Sequence, residues 1–158
     1  MAEIKPILVA CCGNPLAGDD AFGHLVAMRL LRDPPPGCEI LDLATNPASL
    51  LDHLEGRRVL IIVDAAEPGH GEAGELFECD WRDPNRPAFI NQSDLSTHGL
   101  SITQQLELAQ SLGVLPEVVR IIAMTITSAQ VYAKSDAKVL EQSAAASRRV
   151  AELAGWLA

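Results

Sequence analysis

Two hydrophobic patterns alternate along the chain. Short, nearly continuous apolar runs suit buried strands, and between them apolar residues recur at helical spacing. The runs fall at residues 7–12, 39–43, 59–63, 75–79 and 119–124. Helical spacing starts at Phe22 and continues through Leu25, Val26 and Leu30, until Asp33-Pro34-Pro35-Pro36-Gly37 ends it. A short helix fits residues 48–54, with Asn46 as its N-cap and Pro47 at its first position. Ile102, Leu106, Ala109 and Leu112 mark a further helix, stopped by Gly113, and an alanine-rich helix fits residues 135–157. This alternation predicts an α/β protein with a largely parallel sheet. The 59–63 run, Val-Leu-Ile-Ile-Val, has the unbroken apolar character of a central strand covered on both faces. The 75–79 run follows a glycine- and acid-rich stretch and is predicted to be an edge strand. Residues 81–97, punctuated by Pro84 and Pro87, are expected to form a long loop, the kind of segment that contacts substrate.

Composition narrows the function classes. With 158 residues and no internal repeat or linker, one domain spanning residues 1–158 is expected, and nearly half its residues are hydrophobic. Twelve basic against twenty-one acidic residues give a net charge of −9. That balance disfavours nucleic acid and anionic membrane surfaces, which need a basic footprint. No apolar run approaches a membrane span, and Met1-Ala2-Glu3-Ile4-Lys5 lacks the features of a secretory signal, so a cytoplasmic location is expected. The four cysteines include no Cys-x-x-Cys pair, and Cys11 and Cys12 end an apolar run, where a small thiol packs well.

The candidate chemistry begins at residues 13–23, Gly-Asn-Pro-Leu-Ala-Gly-Asp-Asp-Ala-Phe-Gly, between the first strand and the first helix. The turn ends in two adjacent carboxylates, Asp19 and Asp20. A site built for phosphate at a helix N-terminus would avoid acids, so this one suits a cation. In an open α/β sheet, ligands bind beyond the carboxyl ends of the strands, near the point where strand order reverses. Asp20 follows the first strand, Asp64 closes the third, and His98 precedes the helix that starts near Ser101. Two carboxylates and an imidazole form a common ligand set for a divalent transition metal. Each also has a plainer role: Asp20 can complement a helix dipole, Asp64 can accept loop amides, and a loop histidine can simply be solvated. The chain lacks His-Glu-x-x-His, Gly-x-Ser-x-Gly, a dinucleotide fingerprint and a Walker loop.

Taken together, these residues resemble the hydrogenase maturation endopeptidases. That family's pattern is Gly-Asn, an acidic pair and Gly-x-Gly after the first strand, then an Asp ending a later apolar strand, then Ser-x-His ahead of a helix. The matching positions are Gly13-Asn14, Asp19-Asp20 and Gly23, Asp64 in Ile61-Ile62-Val63-Asp64-Ala65, and Ser96-Thr97-His98. The resemblance implies a three-layer α/β/α domain, a mostly parallel twisted sheet with an antiparallel edge strand, in a flavodoxin-like or phosphorylase-like layout. It implies an endopeptidase that trims the C-terminal extension of a nickel–iron hydrogenase large-subunit precursor after nickel insertion. Asp20, Asp64 and His98 are then the metal-binding and catalytic residues, in the manner of metal-assisted hydrolysis. Nickel is expected to arrive with the precursor; no nucleotide or flavin is expected, and family analogy favours a monomer.

The chain departs from the pattern in three places. Ala21 replaces the glycine that usually follows the acidic pair, residues 42–47 replace a glycine-rich segment, and residues 125–130 lack a Pro-Glu-Ser element. Ala21 would be strained at positive φ and comfortable in a first helical turn. Two alternatives stand beside the protease reading: a non-catalytic module that docks on a metalloprotein precursor, and a nucleotide- or flavin-binding small-molecule enzyme.

Overall fold

Strand β1 (Ile7–Cys11) is buried along its whole length, as an apolar run between two covered faces must be. The computed structural model describes residues 3–12, 21–43, 47–66, 74–86, 102–125 and 137–157. After β1 come helix α1 (Phe22–Arg32), β2 (Cys38–Asp42), a 3₁₀ helix (Pro47–His53), β3 (Val59–Ala66), β4 (Leu76–Asp80), α2 (Ile102–Leu112), β5 (Val118–Thr125) and α3 (Ala137–Leu157). Among the described residues the strands form one five-stranded sheet in the order β2-β1-β3-β5-β4. Strands β2, β1, β3 and β5 run parallel, and β4 pairs antiparallel with β5 at the edge. The expected fold class, the central place of β3 and the edge place of β4 all hold.

Alternation along the strands assigns the two helical layers. Ile7, Val9 and Cys11 of β1, with Val59, Ile61 and Val63 of β3, face Phe22, Val26 and Leu30 of α1 and Val150 and Leu153 of α3. Their neighbours Leu8, Ala10, Leu60 and Ile62 face the opposite way, toward Leu50 and Leu54 around the 3₁₀ helix and Leu106 and Ala109 of α2. A strand sends successive side chains to opposite faces, so each run supplies both cores at once.

Local chemistry ends the elements where the sequence signals. Gly113 takes φ 73°, its N–H donates to the Gln110 carbonyl, and the Val114 N–H donates to the Ala109 carbonyl. That pair of bonds is a Schellman closure, which favours glycine at the left-handed position. The predicted short helix at 48–54 is a 3₁₀ helix over Pro47–His53; its proposed cap Asn46 lies outside the described residues. The fully buried Gln105 ties it to α2, its Oε1 accepting the Leu51 N–H at 3.0 Å. Of the expected 81–97 loop, residues 81–86 form turns in which the Arg86 guanidinium lies 4.1 Å above the Trp81 ring. The remainder lies outside the described residues.

Candidate active site

The sheet reverses its strand order around β1. The chain passes from β1 to β2 on one side and then to β3 on the other, so the carboxyl ends of β1 and β3 adjoin at the switch point. Hydrogen bonds join the ends of β1 and β2 to each other and tie the end of β1 to Val63 within β3. Leu43 donates its N–H to the Cys11 carbonyl at 2.8 Å, and Cys12 donates its N–H to the Val63 carbonyl at 2.8 Å. Strands β1 and β2 therefore end together, while β3 runs on beside β5 to Ala66.

Asp64 stands on this rim. It is half-buried, pairs in register with Ala123 of β5, and its Oδ1 accepts the Ala65 N–H at 2.8 Å. Strand β3 continues to Ala66, so Asp64 lies within the strand rather than closing it, and the amide it accepts belongs to the strand rather than to a loop. Pairing with β5 carries the strand on past the apolar run. By alternation Asp64 shares the face of Leu60 and Ile62, the face that α2 covers. His98 precedes α2 in sequence, and Asp20 immediately precedes Ala21 at the start of α1; both lie outside the described residues. The described residues thus place one member of the expected set, Asp64. Among them no three His, Cys, Asp or Glu side chains gather in a way that could hold a metal ion.

The return from β1 into α1 is set by close packing. A Cβ at Gly23 would stand 1.7 Å from the Cys12 carbonyl oxygen, so only glycine lets the first turn of α1 rest on the end of β1. Ala21, the N-cap position of α1, has φ −74° and ψ −3° and is buried. The backbone there is helical, and alanine carries no strain in place of glycine.

A second acid on the rim was not anticipated. Asp42 ends β2 in register with Cys11, and its Oδ2 lies 2.6 Å from Nδ1 of His24 in the first turn of α1. An ionised carboxylate only accepts, so Nδ1 carries the proton. The sequence held half the signal, since Asp42 ends an apolar run as Asp64 does. Cys11 lies between the two acids. Burial, and then the negative charges of Asp42 and Asp64, push its thiol far above the ordinary value. It is a packing residue, and at neutral pH it offers no thiolate nucleophile.

The architecture is that of an open α/β sheet with carboxylates, Asp42 and Asp64, near its switch point. The chain belongs to the hydrogenase maturation protease family, whose HycI model matches residues 25–152. That span includes Asp42, Asp64 and His98, while the 13–23 motif lies ahead of it. The fold is similar to the hydrogenase maturating endopeptidase HybD from E. coli, at 26% identity and TM-score 0.77, covering 91% of this chain and 88% of that one. It is similar to the [NiFe] hydrogenase maturation protease HycI from Thermococcus kodakarensis, at 25% identity and TM-score 0.74, covering 96% and 93%. A hydrogenase 2 maturation peptidase from a Thaumarchaeota archaeon shares 29% identity at TM-score 0.70, covering 96% and 99%. No curated protein matches the sequence. Family and fold together make the chain a hydrogenase maturation endopeptidase, and neither favours the docking-module or nucleotide-enzyme alternatives.

Proposed function

We propose that this protease removes the C-terminal extension of a nickel–iron hydrogenase large-subunit precursor once nickel is in place. Asp20, Asp64 and His98 engage the nickel that the precursor brings, so the metal belongs to the substrate and marks it as ready. The observation that carries this reading is the position of Asp64. It is a fixed, half-buried carboxylate beside the exit of β1, on the rim where α/β sheets take their ligands. Carboxylate and imidazole donors suit a divalent transition metal. When engaged, the metal supplies charge that polarises the scissile carbonyl. Asp20 and Asp64 hold the precursor's metal end in place, and a carboxylate of the pair takes the proton of the attacking water. No helix among the described residues is long and apolar enough to cross a membrane. By analogy with the family, the proposal includes a monomeric cytoplasmic enzyme without resident nucleotide or flavin, meeting its precursor before assembly.

The test is substitution at each proposed position. Asp20→Asn, Asp64→Asn and His98→Ala are expected to leave a nickel-loaded precursor uncleaved. A variant that trims it at the wild-type rate removes that residue from the site.

A further inference from the structure

We infer that His24 is a positioning residue for the maturation reaction, acting through its hydrogen bond to Asp42 to tether the start of α1 to the end of β2. The inference rests on the proposed function for the identity of the reaction, and on geometry for the tether itself.

Three contacts converge on the ends of the acidic 13–20 segment. On its N-terminal side, the Cys12 N–H is held by the Val63 carbonyl. On its C-terminal side, Gly23 sits against the Cys12 carbonyl with no room for a Cβ. His24 adds the third contact, 2.6 Å from Asp42. Asp42 in turn is aligned with Cys11, and its neighbour Leu43 donates to the Cys11 carbonyl. The first turn of α1 is thereby bound to β1 by packing and to β2 by a side-chain bond.

The chemistry of the pair suits a local tether better than a stability element. His24 occupies the first turn of α1 and Asp42 the last position of β2, so their bond joins two elements at their ends. Both side chains are about one-quarter exposed, 28% and 26%, and a polar contact so open to water adds little to global stability. What it fixes is orientation. The strand end it holds is bonded through Cys12 to Val63, the residue before Asp64, and a reacting group displaced by a fraction of an ångström loses rate.

The experiment compares wild type with His24→Ala, His24→Asn, Asp42→Ala and the His24→Ala/Asp42→Ala double variant. Two readouts are taken: precursor-trimming kinetics, and amide exchange of Cys12 and Leu43 in the free protein. His24→Ala is expected to lower kcat by roughly ten- to a hundredfold, as loss of an orienting partner does, with KM and thermal midpoint near wild type. Asparagine presents an N–H close to the position of Nδ1, so His24→Asn should recover most of the rate. The double variant should be no slower than the slower single one, because one shared contact is lost. Leu43 exchange should quicken in His24→Ala. Unchanged kcat in His24→Ala, additive losses in the double variant, or unchanged Leu43 exchange would each overturn the inference. If wild type itself leaves the precursor intact, the proposed substrate falls and His24's role with it; the exchange data still show separately whether the tether exists.

Discussion

Gly23 and Cys12 make the tightest approach of any described glycine: a Cβ on the glycine would lie 1.7 Å from the Cys12 carbonyl oxygen and 2.7 Å from its carbonyl carbon. The atoms in the way are backbone, so no side-chain rotation relieves the clash. Gly23→Ala must push α1 off β1 or break the end of the strand. Overpacking of this kind costs about 3 kcal/mol or more, and denaturant unfolding should show the loss. Ala21→Gly, two residues earlier at a helical φ of −74°, should lower stability only slightly, by under about 1 kcal/mol.

Asp64→Asn separates structure from chemistry at one atom. An asparagine Oδ1 still accepts the Ala65 N–H that Asp64 holds at 2.8 Å, so the folded state keeps its bond while the charge is lost. The expected outcome is a thermal midpoint close to wild type with precursor processing reduced by about a hundredfold or more. Circular-dichroism melting and mass spectrometry of the trimmed precursor measure the two quantities independently.

The central strand should dominate stability. Ile61 is fully buried in β3, between β1 and β5, within the core shared with α1 and α3. Ile61→Ala is expected to cost about 2–5 kcal/mol through lost burial and the cavity left behind. Ile4, 56% exposed, serves as the control: Ile4→Ala should stay within about 0.5 kcal/mol of wild type. Urea unfolding of both variants checks the contrast.

Buried thiols predict an alkaline weakness. Cys11 is completely buried, and its thiol is pushed up from the ordinary value of 9.0 by burial first and by Asp42 and Asp64 after it. Above that ordinary value the unfolded chain releases the proton and the folded chain keeps it. The folded state then binds more protons, so stability is full below pH 9 and falls as pH rises above it. One such thiol contributes a slope of up to about 1.4 kcal/mol per pH unit. Guanidinium midpoints measured from neutral to alkaline pH should decline, and Cys11→Ala should show a shallower decline. Alkylation of the native protein near pH 8 should leave Cys11 unmodified.

Much of the fold was legible because burial imposes readable patterns. The Val59–Val63 run announced a strand covered on both faces, and β3 is the central strand. Gly113 and the proline run at 34–36 marked helix ends through backbone constraints that act locally. The 3₁₀ winding of Pro47–His53 was less legible, since apolar spacing over so short a span suits either helix type. Asp64 could be picked out because it interrupts the apolar run of β3 just beyond the end of β1, although the strand itself continues to Ala66. The Asp42–His24 contact could not, because it depends on the register between β2 and α1, two elements whose relative placement no local pattern states. The same holds for Gly23: its place in a motif was visible, while the carbonyl that excludes a side chain belongs to Cys12, just past the end of β1.

The central claim is that nickel carried by the precursor licenses cleavage of its C-terminal extension. The most direct test mixes the purified protein with nickel-loaded and nickel-free forms of one cognate large-subunit precursor and reads the C-terminal mass of each. The account predicts trimming of the loaded form alone. Equal trimming of both forms would contradict nickel gating, and an intact loaded precursor would contradict the proposed substrate.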